Sequence, residues 1–577
     1  MTDPRPAPYF DIREIPFSYH GSWFCISPVI RQGAAKDDLH LVSHQTGMHA
    51  IFALRPLTPE GARADTRVEA CASMLSWLHE SGRVDLVYES PDTVRLRGDG
   101  MGMRIDAVAS ALTPFAGTYL YRDPAADGYV FTSYETGRRY RISSVRGALT
   151  EVSGAQALGT VERSIVITPE AQQWEVAIEE YQATRAPYGS SGSPVTFDQA
   201  ADAAGVAFAS FRDAVAPWRS ERVPAADLAA YVLWSATVEP AGFLTRPAVL
   251  MSKHWMDKVW SWDHCFNALA LAAGRPTAAW DQYHLVFDHQ DGSGALPDSV
   301  THSEVLYNFV KPPIHGWALS KLLCAIPGVS HEQVVETYQR LAGWTRYWLE
   351  FRRAPGSELP HYHHGNDSGW DNATVFDQAR VVESADLAAF LILQLRELAT
   401  LAPLAGCAGD ASVWDAHADG VLRALIDQLW DGSRFRARGV DSGGLHAGSS
   451  LLELMPIVLG DLLPPHIHTA LADRIRLHLT PYGLATELPT SPHYEADGYW
   501  RGPIWAPATI LIEDGLRRAG HVPLADEISR RFRSLCEASG FAENFDALTG
   551  AGQRDRAYTW TASSYLMLAG AAEDRRR

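Results

Sequence analysis

From residue 1 to 190 the apolar positions fall in short runs, alternating with polar ones or rich in β-branched and aromatic side chains, and turn residues separate the runs. A period of two puts successive side chains on opposite faces, so these runs predict strands. They lie at 22–30, 49–54, 84–89, 94–97, 103–109, 117–122, 129–132, 140–145, 164–168 and 174–179. Many short strands at this spacing predict an antiparallel β-sandwich. The segment 186–194, Ala-Pro-Tyr-Gly-Ser-Ser-Gly-Ser-Pro, reads as a linker. Beyond it the period lengthens to that of a helix. A connecting helix is expected at 197–215. Twelve more are expected at 226–238, 259–273, 277–290, 314–326, 330–353, 383–402, 410–430, 447–459, 465–479, 503–519, 523–539 and 557–573.

The loops leading into alternate helices differ in kind. One set is rich in aromatic and polar residues: Trp260-Ser-Trp-Asp-His264, Lys311-Pro-Pro-Ile-His-Gly-Trp317, 365–377, 443–450, Tyr499-Trp-Arg-Gly-Pro-Ile-Trp505 and 541–558. The entries near 330, 410, 465 and 523 are plain and charged. Up-and-down helices with one decorated rim are what an (α/α)6 barrel requires, with six inner helices starting at the same end. No repeat of solenoid length is evident. The expected organisation is therefore multidomain: an N-terminal antiparallel β-sandwich (1–190), a linker with a connecting helix (191–225) and an all-α (α/α)6 barrel (226–577).

One decorated loop stands out, Gly365-Asn-Asp-Ser-Gly-Trp-Asp-Asn-Ala-Thr-Val-Phe-Asp377. It holds three acids beside a tryptophan and two asparagines, with no apolar run to make it a strand or helix core. A carboxylic acid can protonate a leaving oxygen, an indole can stack on a sugar, and amides can bind hydroxyls. Asp371 is the leading candidate acid, against the plainer role of an Asp capping a turn. A partner carboxylate is best sought in Phe541-Ala-Glu-Asn-Phe-Asp-Ala-Leu-Thr-Gly550 as Glu543, with Glu495, Glu487 and Glu383 as rivals. Trp260, Trp262, Trp317, Trp370, Trp500 and Trp505 are candidate sugar platforms, each as readily core. Asp263 and Asn372 can bind hydroxyls, Asp263 with the competing role of a helix N-cap. Lys311 and Arg501 can bind a hydroxyl or a carboxylate, and Arg501 is also a candidate cation for the base. Gln290 and Asp291 read more readily as a Gly-rich turn, and His315 as structural. His361, His363 and His364 read as a polar loop rather than a metal site, because carboxylates at ligand spacing are missing.

Composition narrows the classes. The 577 residues carry a net charge of -18, which argues against nucleic acid. Lys36, Lys253, Lys258, Lys311 and Lys321 are the only lysines among 50 basic residues. No apolar run of about 18 residues and no signal-peptide core are present, so no membrane partner and a cytoplasmic location are expected. Six scattered cysteines without a metal spacing read as free thiols. No dinucleotide fingerprint, P-loop or nucleophile elbow occurs, so no cofactor and no metal are expected. Oligomeric state is left open.

The motifs carry a resemblance. Ser368-Gly-Trp-Asp371 resembles the Ser-Gly-Trp/Met-Asp segment of inverting (α/α)6 glucosidases. These are the trehalases and, more closely, glycoside hydrolase family 63, with processing α-glucosidase I and the bacterial mannosylglycerate and glucosylglycerate hydrolases. Trp262-Asp263 resembles the Trp-Asp of the trehalase signature, and Tyr499-Trp-Arg-Gly-Pro-Ile-Trp505 the family's Trp-x-Gly-Pro-x-Trp. Glu543-Asn-Phe-Asp546 with Thr549-Gly550 is similar to the segment that carries the base. The four motifs keep the family's order over about 225–573. Phe545 replaces the usual Tyr, and the Pro-Gly-Gly-Arg-Phe segment of trehalases is missing, which points away from trehalase. The resemblance implies that Asp371 is a general acid and Glu543 a general base. Inversion then needs the carboxyl groups about 6.5–9.5 Å apart with water between. The acid must stay protonated and the base ionised. The expected activity is inverting hydrolysis of an α-glucosidic or α-mannosidic bond in a small carbohydrate. An (α/α)6 disaccharide phosphorylase, which would want a cationic cluster in place of Glu543, is the nearest alternative. A sugar epimerase and a non-catalytic carbohydrate-binding protein follow.

Overall fold

The computed structural model describes residues 8–109, 117–156, 162–169, 173–190, 195–446 and 448–577. The opening residues of the chain, residues 191–194 of the expected linker and one residue of the 443–450 loop lie outside them.

Fourteen strands build two antiparallel sheets in the N-terminal region. They are β1 (Phe24–Arg31), β2 (Ala34–Ser43), β3 (His49–Leu57), β4 (Arg67–Ala70), β5 (Leu75–His79), β6 (Gly82–Ser90), β7 (Thr93–Asp99), β8 (Gly102–Ala107), β9 (Thr118–Arg122), β10 (Gly128–Ser133), β11 (Arg139–Arg146), β12 (Glu151–Ser153), β13 (Ser164–Ile167) and β14 (Trp174–Tyr181). One sheet has the order β1-β2-β3-β8-β13-β12, the other β4-β5-β6-β7-β14-β11-β10-β9. Phe52, Leu54, Met103 and Ile105 of the first sheet meet Leu86, Leu96, Tyr140 and Ile178 of the second in one apolar core. The sequence reading passes over β2, β4, β5 and β12. In β2 Lys36 and Asp37 face solvent and Asp38 pairs with Arg55 and Arg63, while Leu39–Ser43 are buried, so charge hides an interior strand. β12 has no buried side chain to give a pattern.

The remainder is helical: α1 (Phe197–Val215), α2 (Ala226–Ala236), α3 (His264–Leu271), α4 (Pro276–His284), α5 (His315–Ala325), α6 (His331–Phe351), α7 (Ala385–Leu404), α8 (Ala408–Ala424), α9 (Pro465–His478), α10 (Ala506–Arg518), α11 (Val522–Ser539) and α12 (Thr559–Asp574). α3 packs on α5, α5 on α7, α7 on the segment Leu451–Leu462, that segment on α10, α10 on α12, and α12 back on α3. Six segments thus close a cycle of contacts. α4, α6, α8, α9, α11 and α2 each pack against a member of it. One member departs from expectation. The α-helix expected at 447–459 is a run of 3-10 turns, Leu451–Leu462, broken at Gly460 (φ 61°). Pro456 inside it has no N–H for an α-helical bond.

Across this cycle the indole of Trp317 on α5 donates to Asp514 Oδ2 on α10 at 2.9 Å, and Lys321 Nζ binds the other carboxylate oxygen. The polar edge of Trp317 is therefore engaged inside the helical assembly, where the sequence reading offered it to a sugar. α7 is long and apolar enough to cross a membrane by composition, but most of it is buried among neighbouring helices.

The α5–α7 contact depends on a glycine. A Cβ at Gly316 would lie 2.3 Å from Cα of Gln394, and the Gly316 N–H donates to Gln394 Oε1 at 3.2 Å. Backbone cannot yield as a side chain can, so Gly316→Ala is expected to destabilise by about 1–3 kcal/mol. Urea denaturation measures it, and a wild-type midpoint would show that the helices separate freely.

Candidate functional site

The 365–377 loop is shaped by its own polar groups. Asp367 is buried and accepts from Val310 N (3.1 Å), His363 N (2.8 Å) and Arg352 Nη1 (2.9 Å). It ties together the end of α6, the His363 segment and the Lys311 segment. Gly369 takes φ 73°, and a Cβ there would meet the Trp262 indole at 2.6 Å. Only glycine lets the chain turn against that ring. Asn372 donates to Gly498 O (3.0 Å) and accepts from Trp500 N (3.0 Å). Its amide stitches this loop to 498–500 instead of facing a sugar. Asp377 pairs with Arg501. Asp371 is left with Lys311 Nζ at 4.0 Å, and its side chain is 32% exposed. Burial pushes the Asp371 carboxyl up, while Lys311 pulls it back.

Lys311 itself is buried. Its Nζ donates to Asn366 O at 2.7 Å, lies 3.3 Å from Asp298 and stands over the Trp260 ring at 5.4 Å. Asp263 faces the same cation and is pushed far up by burial. It stands before α3, yet its side chain makes no capping bond, and its Oδ2 is buried without a partner. The N-cap role is thus not what the side chain does.

Glu543 lies on a hairpin whose strands pair Asn544 with Gln553 and Phe545 with Gly552. Burial, reinforced by the nearby Asp555 carboxylate, pushes it up to about 8, with Arg554 and the Tyr499 phenol pulling the other way. The sequence reading wanted this group ionised with Arg501 beside it. Arg501 instead donates to Asn372 O (2.7 Å) and pairs with Asp377, and the cation next to Glu543 is Arg554. Two non-glycine residues here, Tyr499 (φ 63°) and Arg554 (φ 60°), are left-handed, with the guanidinium 4.9 Å over the Tyr499 ring. Backbone in this region persists only where its surroundings impose it, and it gathers at functional sites. Arg554 of the Glu543 hairpin thus reaches Tyr499, while Asn372 and Trp262 reach its neighbour Trp500, so the loops at 263, 371, 499 and 543 converge.

The tryptophans behave differently. Trp500 stacks on Trp370 at 4.6 Å on one side and on Trp505 at 4.0 Å on the other. Trp262 packs on Trp500 and edge-on to Trp560. Trp262, Trp370, Trp500 and Trp505 are 1–2% exposed. Their faces are taken by one another, so they form the floor that holds the loops. Trp260, half-buried under Lys258 and Lys311, is closer to the surface. Two rival carboxylates are engaged: Glu487 with Thr374 and Ser449, Glu383 with Ser357 and Arg438. The third, Glu495, is exposed. Gln290 and Asp291 bond within their own turn, and His315 Nε2 lies 3.1 Å from Ser261 O. His361 and His363 face each other at 3.2 Å, with no metal-binding group of acids, cysteines and histidines among the described residues. Sequence reasoning missed Asp298, Tyr499, Arg554 and Asp555. The last three stand inside loops it had marked as decorated, where tryptophans and Glu543 drew attention first.

The family model of the mannosylglycerate hydrolase MGH1-like glycoside hydrolase domain matches residues 256–561, more than half of the chain. The chain belongs to this family 63-like glycoside hydrolase group. The mannosylglycerate hydrolase of Rubrobacter radiotolerans is 26% identical over 416 residues, 56% of this glycoside hydrolase and 92% of that protein. Mannosylglycerate hydrolase MGH1 of Selaginella moellendorffii is 22% identical over 388 residues, 53% of this chain and 79% of its own. The solved family 63 mannosylglycerate hydrolase of Thermus thermophilus, in complex with Tris, superposes with a TM-score of 0.53 at 22% identity, over 59% of this chain and 99% of that one. A bacterial glucoamylase complexed with acarbose covers 100% of this chain and 96% of its own, with a TM-score of 0.59 at 12% identity. The fold of an N-terminal antiparallel sheet region followed by a helical domain is thus shared with the glucoamylase.

Because Trp500 is stacked on both faces, Trp500→Ala in this glycoside hydrolase is expected to lower stability by about 3–5 kcal/mol. A thermal melt tests it; an unchanged melting temperature with weakened sugar binding would return Trp500 to the substrate.

Proposed function

We propose that this glycoside hydrolase cleaves an α-glucosidic or α-mannosidic bond in a small carbohydrate with inversion. Asp371 serves as the acid and Glu543 activates the water. The observation that carries the reading is the meeting of the Asp371, Asp263 and Glu543 loops at the 498–500 turn, where Asn372 bonds Gly498 O and Trp500 N, Trp262 packs on Trp500, and Arg554 of the Glu543 hairpin lies over the Tyr499 ring. The unpartnered Oδ2 of buried Asp263 would accept a sugar hydroxyl. The closed cycle of six helical segments supports an (α/α)6 barrel, with 1–190 as a β-sandwich, 191–225 as the connection and 226–577 as the catalytic unit. The six free thiols fit a cytoplasmic enzyme.

A cavity of about 500 Å³ is lined by Asp371 together with His364, Phe376, Asp377, Arg380 and Arg501. Arg380 has no ion pair there among the described residues. The Arg380 guanidinium at this place suits a leaving group that carries a carboxylate, as glycerate does in the substrate for which the relatives are named. The substrate proposed is accordingly an α-hexoside of a small hydroxy acid, with neutral disaccharides as weaker substrates.

Inversion is read by proton NMR of hydrolysis: an α-glycoside should first release the β-anomer, and the α-anomer would mean retention. Including phosphate in parallel separates hydrolysis from phosphorolysis. One observation favours an exchange of roles: Glu543 is pushed up to about 8, and Lys311 stands by Asp371. Glycosyl fluorides decide between the two, because fluoride departs without a proton. Asp371→Asn should lower turnover of natural glycosides by about 10²–10⁴-fold yet keep activity on the α-fluoride. Glu543→Gln should lose both. The reverse pattern would exchange the assignment. With the fluoride, only the ionised base is needed. kcat/KM should therefore rise with pH towards a plateau through about 8, where Glu543 loses its proton. A profile flat from about pH 6 to about pH 9.5 would remove Glu543 as the base.

A further inference from the structure

Behind the Glu543 hairpin lies a second buried carboxylate that the reaction as described does not use. The backbone of the two residues is joined directly, Glu543 N donating to Asp555 O at 2.7 Å. Asp555 is fully buried. Its Oδ1 accepts from Ser252 Oγ (2.9 Å) and from Ala557 N (3.0 Å), and His254 Nδ1 lies 3.5 Å away. Its Oδ2 has no hydrogen-bond partner. His254 is 1% exposed and neither ring nitrogen has a hydrogen bond of normal length, so Asp555 is the acceptor its ring faces. A buried carboxyl group with one oxygen unsatisfied costs stability, and such a group calls for an explanation other than packing.

The pair is held from outside the helical unit. Ser252 and His254 flank Lys253, whose buried Nζ donates to Ser18 Oγ (3.0 Å) and Ser22 O (2.7 Å), just before the first strand of the N-terminal sheets. Arg556, next along the hairpin, pairs with Glu14. The family model spans 256–561, so Ser252, Lys253, His254 and the serines that hold the lysine all lie outside it.

We propose that Asp555, braced by Ser252 and His254, is a positioning residue that governs how strongly Glu543 holds a proton. The proposal rests on Glu543 being the base. In the reaction a water O–H bond breaks and its proton passes to Glu543, while the water oxygen bonds to the anomeric carbon and the leaving oxygen departs with the bonding pair and takes the Asp371 proton. Before transfer two carboxylates share one buried hairpin, their residues joined through the backbone. After it Glu543 is neutral and the repulsion is relieved. Asp555 thereby makes Glu543 a stronger base, with a smaller ionised fraction at neutral pH. The other groups facing Glu543 are Arg554 and the phenols of Tyr499 and Tyr558. Arg554 acts in the opposite direction to Asp555.

The experiment is the pH profile of kcat/KM with an α-glycosyl fluoride, for the full-length wild type, Asp555→Asn, His254→Phe and Glu543→Gln. Asp555→Asn removes the negative charge in an isosteric side chain, so the rising limb should move to lower pH by about one unit. His254→Phe removes the ring nitrogen 3.5 Å from Asp555 and should move the limb to higher pH. The opposite signs are the signature, since a merely structural role would lower kcat without moving the limb. A limb that stays put or moves upward in Asp555→Asn overturns the proposal while Glu543→Gln remains inert. If Asp555→Asn fails to fold, a limb in His254→Phe that does not rise overturns it equally. An active Glu543→Gln with the wild-type limb overturns the base assignment and the proposal with it.

Discussion

Lys311 is buried, and it faces three carboxylates, Asp263, Asp298 and Asp371. A buried ammonium cannot be left without partners, and neither can buried carboxylates. Each therefore constrains the others. Asp298 comes from the strand pairing that also holds Trp260, Asp263 from the head of α3, and Asp371 from the 365–377 loop. Their meeting around one cation fixes how three loops approach the end of the helical cycle. The same charge network leaves Asp263 Oδ2 without a hydrogen-bond partner, while Asp298 Oδ1 has the Lys311 ammonium 3.3 Å away.

Two kinds of support hold this arrangement. One is apolar: the stack of Trp370, Trp500 and Trp505, closed by Trp262 and Trp560, gives the loops a rigid floor. The other is strain: Tyr499 and Arg554 are held left-handed with no glycine to ease it. The left-handed turn at Tyr499 sets its phenol beside the carboxylates, while Trp500 enters the stack. Stiff packing makes strained backbone tolerable, and strained backbone places polar groups that a relaxed loop would leave in solvent.

Much of the candidate site was legible as position along the chain and little of it as contact. The decorated loops at 260–264, 311–317, 365–377, 499–505 and 541–558 were visible because no apolar period explains their tryptophans and acids. Which member of each loop faces inward was not. Trp500 and Trp505 share a loop with Tyr499, and only the backbone turn decides that the indoles stack while the phenol meets Glu543. Asn372 and Arg501 looked like ligands by type, yet backbone and Asp377 take up their polar groups. Arg554, in a loop already marked, supplies the cation that Arg501 was expected to provide. Charge partners across loops are set by geometry that composition does not encode.

The chain by itself determined the elements and their order. Period two and period 3.6 are local properties, so most strands of the first region and nearly all the helices of the second could be placed from neighbouring residues alone. It failed where local signals conflict with burial, as in charged β2 and in Leu451–Leu462, whose proline and glycine break an otherwise helical apolar run. Tertiary structure decided which carboxylates are buried, which cation each one sees, and which aromatic faces are already covered. Proton affinity and open binding surface both depend on atoms brought together from distant segments, as Ser252 and Asp555 are, 303 positions from each other. No local pattern carries that information, because desolvation and charge pairing act through space and not along the chain.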